Sequence, residues 1–126
     1  MTVAVIEKMI TTRTKGVVLN IGSISAAGNP GASAYSAAKA AVHALTRTWA
    51  TELGPMGIRV IAIAPGFMDT DSARAATSET ALRETIKRVP LRRLGKTEEV
   101  ADAVVAVIEN DFFNGKVFEL DGGLSL

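Results

Sequence analysis

A tyrosine and a lysine four positions apart carry the most specific chemistry in this 126-residue sequence. In Tyr35-Ser36-Ala37-Ala38-Lys39 the spacing predicts that the phenol and the ammonium lie on one face of a helix, about one turn apart. The ammonium favours the phenolate, so Tyr35 becomes a stronger acid that can exchange a proton with a substrate oxygen. The pair indicates acid/base chemistry, although the same spacing also arises by chance on solvated helix faces.

A serine hydroxyl before the tyrosine is suited to act on the same substrate oxygen. Ser23 follows a short apolar run at 17–21, and open α/β sheets assemble ligand sites at the carboxyl ends of their strands. Ser25 is a second hydroxyl in the same loop, and the residue types alone do not choose between the two. His43 and Trp49 follow on the same predicted helix, and we interpret both as packing or interface residues.

The elements that must position these residues follow from the hydrophobic pattern. Apolar residues near helical spacing predict an amphipathic helix in the first dozen positions, and an Ala-rich stretch predicts a long helix at about 33–53. Apolar, β-branched runs at 17–21 and 58–63 predict buried strands of a parallel sheet, the first of them buried on both faces, and 116–120 is predicted as a third strand. The segment 25–33 is rich in small and polar residues and is predicted as a loop.

Two further helices are predicted between the second and third strands. The first has Leu82 and Ile86 on its apolar face and ends at Pro90. The second is expected to start from Thr97 as N-cap without a complete capping box, and its predicted buried stripe is Val100, Val104, Val107 and Ile108. Alternating helices and strands imply right-handed crossovers. We therefore predict an α/β fold: one Rossmann-like, doubly wound parallel sheet of about three strands within residues 1–126.

Composition argues against several classes of function. The net charge is +1, and the basic residues between 83 and 93 alternate with Glu79 and Glu84, which indicates a solvated face rather than a nucleic-acid site. No cysteine and a single histidine argue against a metal site. No run reaches the roughly 18 apolar residues of a membrane span, and no secretory signal is recognisable at the N-terminus. The cytoplasm is the expected compartment, without a membrane or nucleic-acid partner.

Several short motifs occur in an order and at spacings that resemble the short-chain dehydrogenase/reductase family. The resemblance covers nearly the whole chain and corresponds to the C-terminal half of a classical member, so the fold is expected to be that half of a Rossmann-like sheet. The matching motifs are Asn20-Ile21-Gly22-Ser23, the Tyr35 to Lys39 segment, Gly57-Ile58-Arg59-Val60, Ala64-Pro65-Gly66, Arg93-Leu94-Gly95, Glu98-Glu99-Val100 and Asp121-Gly122-Gly123.

The resemblance implies an NAD- or NADP-dependent oxidoreductase that moves a hydride between the nicotinamide and a ketone or secondary alcohol. Tyr35 would be the acid/base, Lys39 would strengthen it as an acid and hold the nicotinamide ribose, and Ser23 would orient the carbonyl. Four further residues match the segment that approaches the nicotinamide, and Thr70 would bond its carboxamide. They are Pro65, Gly66, Met68 and Thr70. Judged without the resemblance, Pro65 and Gly66 would be an ordinary strand-ending turn, and Thr70 would be a loop or capping residue.

The sequence departs from the family pattern chiefly by lacking the Gly-rich turn that seats the dinucleotide pyrophosphate. The residue that distinguishes NAD from NADP and the usual upstream Asn are also missing, and full members are about twice this length. The loop from Ser23 to Tyr35 is one residue short, and Ile61 stands where Asn is usual. The strand at 17–21 is expected to expose an unpaired edge that invites another chain.

Three functional hypotheses remain. The first is the oxidoreductase, seen as a truncated chain that forms homo-oligomers through its first helix and its Tyr35 helix, as the family does. The second is a non-catalytic remnant that serves as an interaction or structural module. The third, a Ser–Lys hydrolase built on Ser23 and Lys39, is disfavoured because no Gly-x-Ser-x-Gly elbow occurs.

Overall fold

The computed structural model describes residues 1–124, which form a parallel sheet of three strands flanked by helices. The strands are β1 (Gly16–Ile21), β2 (Ile58–Pro65) and β3 (Val117–Leu120). The helices are α1 (Thr2–Thr11), α2 (Ser33–Leu53), α3 (Asp71–Ala76), α4 (Glu79–Arg88) and α5 (Thr97–Glu109). The α/β class, the parallel pairing and the strand count confirm the sequence prediction.

Strand β2 lies in the middle of the sheet. It pairs with β1 from Gly16↔Ile58 to Ile21↔Ile63, and with β3 from Ala62↔Val117 to Pro65↔Leu120. Within residues 1–124, β1 pairs with β2 alone and leaves its other edge unpaired, as expected from the sequence. The carboxyl ends of all three strands therefore lie along one border of the sheet.

Apolar residues of β2 alternate between two core clusters, because successive side chains of a strand point to opposite faces. Ile58 and Val60 pack with α1 and α2 residues, and Trp49 lies partly buried against this cluster. Ile61 and Ile63 pack on the other face against Val107 of α5. Helices on both faces of the sheet make the fold doubly wound. None of the helices in the described residues is long and apolar enough to cross a membrane.

Two polar side chains tie the amino-terminal half of β2 to its neighbours. The Arg59 guanidinium donates to four carbonyl oxygens at the end of α5 and in the following turn: those of Val107, Ile108, Asn110 and Phe113. Asn114 accepts the Val60 amide at 2.8 Å and donates to the Ala50 carbonyl at 3.0 Å. These bonds fix α2 and α5 on opposite sides of one strand.

Five local predictions differ from the structure. The segment after β2 contains the short helix α3, and the loop after β1 contains a 3-10 turn at Ile24–Ala27. The N-cap of α5 is Lys96 rather than Thr97, because the Glu99 carboxylate accepts the Lys96 amide at 2.8 Å. Ile108 is exposed, since it falls outside the stripe that faces the sheet. Strand β1 is half-buried rather than buried on both faces, because one of its edges is uncovered.

Candidate active site

Lys39 and Tyr35 lie together at the carboxyl end of β1. The Lys39 ammonium donates to the Ile21 carbonyl oxygen at 2.8 Å and stands 5.7 Å from the centre of the Tyr35 ring. Both residues belong to the first half of α2, one turn apart, as the spacing predicts. Tyr35 is 51% exposed, so a substrate can reach its hydroxyl from solvent.

Ser23 lies in the turn that follows β1. It is the N-cap of the 3-10 turn, and its Oγ accepts the Ser25 amide at 3.1 Å. That bond uses a lone pair and leaves the hydroxyl proton free to be donated to a carbonyl oxygen. Ser25 Oγ instead accepts from the Asn29 side chain at 3.3 Å. Both serines are buried in the turn, and the structure brings Ser23, Lys39 and Tyr35 to the same strand end.

The segment after β2 is held beside this strand end by backbone contacts. The Gly22 amide donates to the Ile63 carbonyl at 2.7 Å, and the Gly66 amide donates to the Leu120 carbonyl at 2.9 Å. A Cβ on Gly66 would lie 2.8 Å from the Asp121 Cα, so any larger residue would clash with the turn after β3. Glycine at this position is therefore explained by chain packing, and the strand includes Pro65.

Met68 and Thr70 also have structural roles. Met68 forms an isolated parallel bridge with Gly95, and its thioether packs where a Cβ on Gly95 would fall. Thr70 is the N-cap of α3, and its Oγ1 accepts the Ala73 amide at 3.1 Å. In residues 1–124 no hydrogen bond joins Met68 or Thr70 to the side chains at the end of β1. Their cofactor-binding role therefore remains a prediction.

Ion pairs surround the segment after β2. Arg74 binds both oxygens of Asp69, at 2.6 and 2.7 Å, and this bond lowers the pKa of the Asp69 carboxyl. Arg93 likewise donates to both carboxylate oxygens of Glu99. This bond and the bond from the Lys96 amide lower the Glu99 pKa to about 2. A small pocket of about 110 Å³ lies beside this second pair, with Met68 and Asp121 in its wall. The predicted solvated face is supported, because Arg83 and Lys87 are exposed and paired with Glu79 and Glu84.

The arrangement at the end of β1 can move a proton to or from an oxygen and polarise that oxygen. Tyr35 supplies an accessible phenol, Lys39 a positive charge beside it, and Ser23 an oriented hydroxyl. Lys39 keeps N–H bonds beyond the one given to Ile21, and the Thr70 hydroxyl keeps its proton. An ammonium and a hydroxyl donor suit ribose hydroxyls and a carboxamide oxygen, so these residues fit the nicotinamide end of a dinucleotide. In the described part of the chain no cluster of three His, Asp or Glu side chains could hold a metal ion.

One contact of this site was not anticipated from the sequence. His43 accepts the backbone amide of Ser23 at its Nε2, at 3.4 Å. The signal available was the i, i+4 spacing from Lys39, which places both side chains on one face of α2. The sequence predicts that His43 is a packing or interface residue. The ring does pack, and the surface it packs against is the turn at Gly22 that follows β1.

Comparisons with known proteins agree with the fold and the motif order. The family model described as enoyl-(acyl carrier protein) reductase matches residues 1–125. The 3-oxoacyl-[acyl-carrier-protein] reductase FabG of Thermotoga maritima is 42% identical over 123 residues, which are 95% of this chain and 49% of that protein. FabG of Chlamydia muridarum is 40% identical, over 97% of this chain and 50% of its own length. The chain thus spans about half the length of these relatives.

Solved structures show the same relation. The 3-oxoacyl-[acyl-carrier protein] reductase from Brucella melitensis superposes with a TM-score of 0.87 at 32% identity, over 95% of this chain and 46% of that one. The 3-hydroxyacyl-CoA dehydrogenase type-2 from Mycobacterium avium superposes with a TM-score of 0.82 at 39% identity, over 88% of this chain and 43% of that one. Both structures are therefore similar to this chain in sequence as well as in backbone.

Proposed function

Because the chain belongs to the short-chain dehydrogenase/reductase family, we propose that it forms the carbonyl-binding and proton-transferring half of an NAD(P)-dependent oxidoreductase. The substrate class is a ketone or the corresponding secondary alcohol, and the cofactor is NAD or NADP. Residues 1–126 would form one partial Rossmann-like domain that works in the cytoplasm. The observation that carries the proposal is the Lys39 ammonium, which bonds Ile21 at the strand end and stands beside the exposed Tyr35 ring.

Three side chains divide the work on the substrate oxygen. Ser23 keeps its proton and donates a hydrogen bond from its hydroxyl to the carbonyl oxygen, which holds the carbonyl in place. Tyr35 gives a proton to the same oxygen during reduction and takes it back during oxidation. The Lys39 charge stabilises the phenolate that remains after the transfer.

The cofactor would be held at its nicotinamide end by residues on two strand ends. Lys39 would bond the ribose and Thr70 the carboxamide, while Pro65, Gly66 and Met68 would form the wall beside the ring. When bound, the nicotinamide supplies the hydride for reduction and accepts it in oxidation. The other contacts of a dinucleotide need a Gly-rich turn, which the sequence of this chain lacks.

We also propose that copies of the chain associate through α1 and α2. The apolar side chains of Val3, Val5 and Leu45 are exposed on these helices, and solvent-facing apolar residues of this kind favour burial against a partner. The unpaired edge of β1 offers a second place for another chain to pair.

The test joins residues 1–126 behind the N-terminal half of the Thermotoga maritima relative and follows oxidation of NADH and NADPH with a panel of ketones. Tyr35→Phe removes the proton donor and keeps the ring, so we expect turnover to fall roughly 10²- to 10⁴-fold. Thr51→Ala removes a hydroxyl farther along the same helix and should leave turnover unchanged. Retained activity in Tyr35→Phe refutes the assignment.

The alternative is a non-catalytic interaction or structural module, and the observation that favours it is that residues 1–126 contain no Gly-rich turn for a dinucleotide pyrophosphate. It predicts that the folded fusion is inactive with either residue at position 35. It also predicts no saturable binding of NADH or NADPH to the isolated chain by calorimetry, and micromolar binding would count against it.

A further inference from the structure

Two neighbouring side chains of α2 hold the backbone on either side of Gly22. Lys39 donates to the Ile21 carbonyl, and His43, one turn later, accepts the Ser23 amide at Nε2. The first contact lies at the end of β1 and the second at the start of the turn. Helix α2 therefore contacts the backbone before and after Gly22, on one side of the turn that carries the Ser23 hydroxyl.

The His43 ring packs directly on this backbone. A Cβ at Gly22 would overlap the ring nitrogen Nε2 and lie 2.8 Å from Cδ2. The ring is partly buried, while Gly22 and Ser23 are buried. The hydrogen bond at 3.4 Å is long, so close packing against Gly22 is what keeps the ring in register with the Ser23 amide.

We propose that His43 is a positioning residue whose neutral ring holds the Ser23 turn in place, and that protonation of the ring releases this turn. Nε2 can accept the Ser23 amide only while it carries a lone pair, so the proton of the neutral ring must be on Nδ1. When Nε2 also carries a proton, its N–H faces the Ser23 N–H, and two donors cannot form a hydrogen bond. That Ser23 acts on substrate rests on the proposed function; the contact between His43 and the turn does not.

The charges around the ring also oppose a second proton. Lys39 and Arg47 face His43 from its own helix, and Glu119 faces it from β3. Gly22 and Ser23, which contact the ring from the turn, carry no charged side chain. The pKa of His43 lies below its ordinary value of 6.5, first because of burial and next because of Arg47; Glu119 opposes this and Lys39 adds to it.

The lowered pKa of His43 determines how the stability of the fold changes with pH. The folded chain binds a proton at His43 less readily than the unfolded chain does, so the neutral ring is favoured in the folded state. As the pH falls below about 6.5 and through the lower folded-state pKa, this contribution to stability is lost. The Ser23 turn should loosen over the same interval.

The test follows the His43 ring and the Ser23 amide by NMR in the 126-residue chain as the pH is lowered from about 8 to 4. We expect both resonances to shift with one common midpoint below about 6.5. In His43→Gln the amide oxygen replaces the acceptor without titrating, so the Ser23 shift should stay constant. In His43→Leu the acceptor is gone, and hydrogen exchange at Ser23 should be roughly three- to tenfold faster.

Arg47→Gln serves as the matched control, because it removes a nearby charge without touching the turn and should raise the common midpoint. A Ser23 amide that does not titrate, or two different midpoints, overturns the proposal. So does a His43 midpoint at or above about 6.5, which an unfolded chain would also give. These NMR readouts do not depend on turnover. If the Ser23 amide shift follows the His43 titration but the enzyme is inactive, only the proposed function is refuted. If the enzyme is active but the Ser23 amide shift does not change with pH, only this proposal is refuted.

Discussion

Replacement of Arg59 by methionine should destabilise the chain through lost helix capping rather than through a lost ion pair. The Arg59 side chain is only 16% exposed and its guanidinium donates to four carbonyl oxygens around the end of α5, while the side chain of its ion-pair partner Asp111 is 96% exposed. Methionine keeps most of the apolar stem of the arginine side chain. The substitution therefore removes donors and a charge, with little change in volume.

The size of the effect follows from which carbonyls water can reach. The bonds to Ile108 and Asn110 are exposed, so water replaces the guanidinium there at small cost. The bonds to Val107 and Phe113 are partly buried, at 3.0 and 3.2 Å. Taking about 1.5 kcal/mol for each hydrogen bond to a charged donor, we expect a loss of about 3 kcal/mol in the free energy of unfolding.

Urea denaturation followed by Trp49 fluorescence measures this loss. The midpoint should fall in Arg59→Met while the slope stays unchanged, because the same surface unfolds. Asp111→Asn removes the exposed ion pair alone and should cost less than about 0.5 kcal/mol. An Arg59→Met chain within about 0.5 kcal/mol of the original, or an Asp111→Asn chain as unstable as Arg59→Met, would refute the capping argument.

Two further outcomes are expected from the same unfolding assay. Asn114→Ala leaves the buried Val60 amide without a partner, while the Ala50 carbonyl keeps its bond from the Gly54 amide, so the change should cost about 2 kcal/mol. Asn110→Ala loses only a bond to the exposed Phe112 amide and should cost less than about 1 kcal/mol, and equal losses would contradict this. Because the Glu99 pKa lies at about 2, below its ordinary value of 4.5, its stabilising contribution should be present above pH 4.5 and be lost as the pH falls toward 2. Glu99→Gln should therefore weaken the decline of stability across that interval, and an unchanged decline would show that the Arg93 and Lys96 contacts do not hold in solution.

Features that depend on neighbouring residues in the sequence could be predicted well. Helix α2 spans the residues predicted for it, because a long Ala-rich run is followed by the terminating Gly54 and Pro55. The short helix α3 was not predicted, since six residues are too few to show a helical period. The α5 cap was placed one residue late, because a threonine cap is a general preference while the Glu99 side chain here reaches back to Lys96.

The candidate site was predictable as a set of residue types, but not as a set of contacts. The spacing of Tyr35 and Lys39 indicates one helix face, and the structure places them there. That Lys39 bonds Ile21, and that His43 rests on Gly22, depends on how α2 lies across β1. Such a docking arrangement joins residues distant in the chain, so no local pattern encodes it. The close approach of Gly66 to Asp121 depends on such docking too, whereas the Thr70 cap is a local contact and agrees with the capping alternative drawn from the sequence.

The central position of β2 has a consequence for how the chain folds. Its two partners meet it through pairs such as Gly16 with Ile58 and Ala62 with Val117, so each pairing closes a long loop before any strand bond can form. Contacts between residues so far apart slow folding, because the entropy of closure is lost before the contacts compensate for it. Helix α2 forms from local contacts and spans most of the first loop, so its early formation would shorten the search that brings β1 and β2 into register.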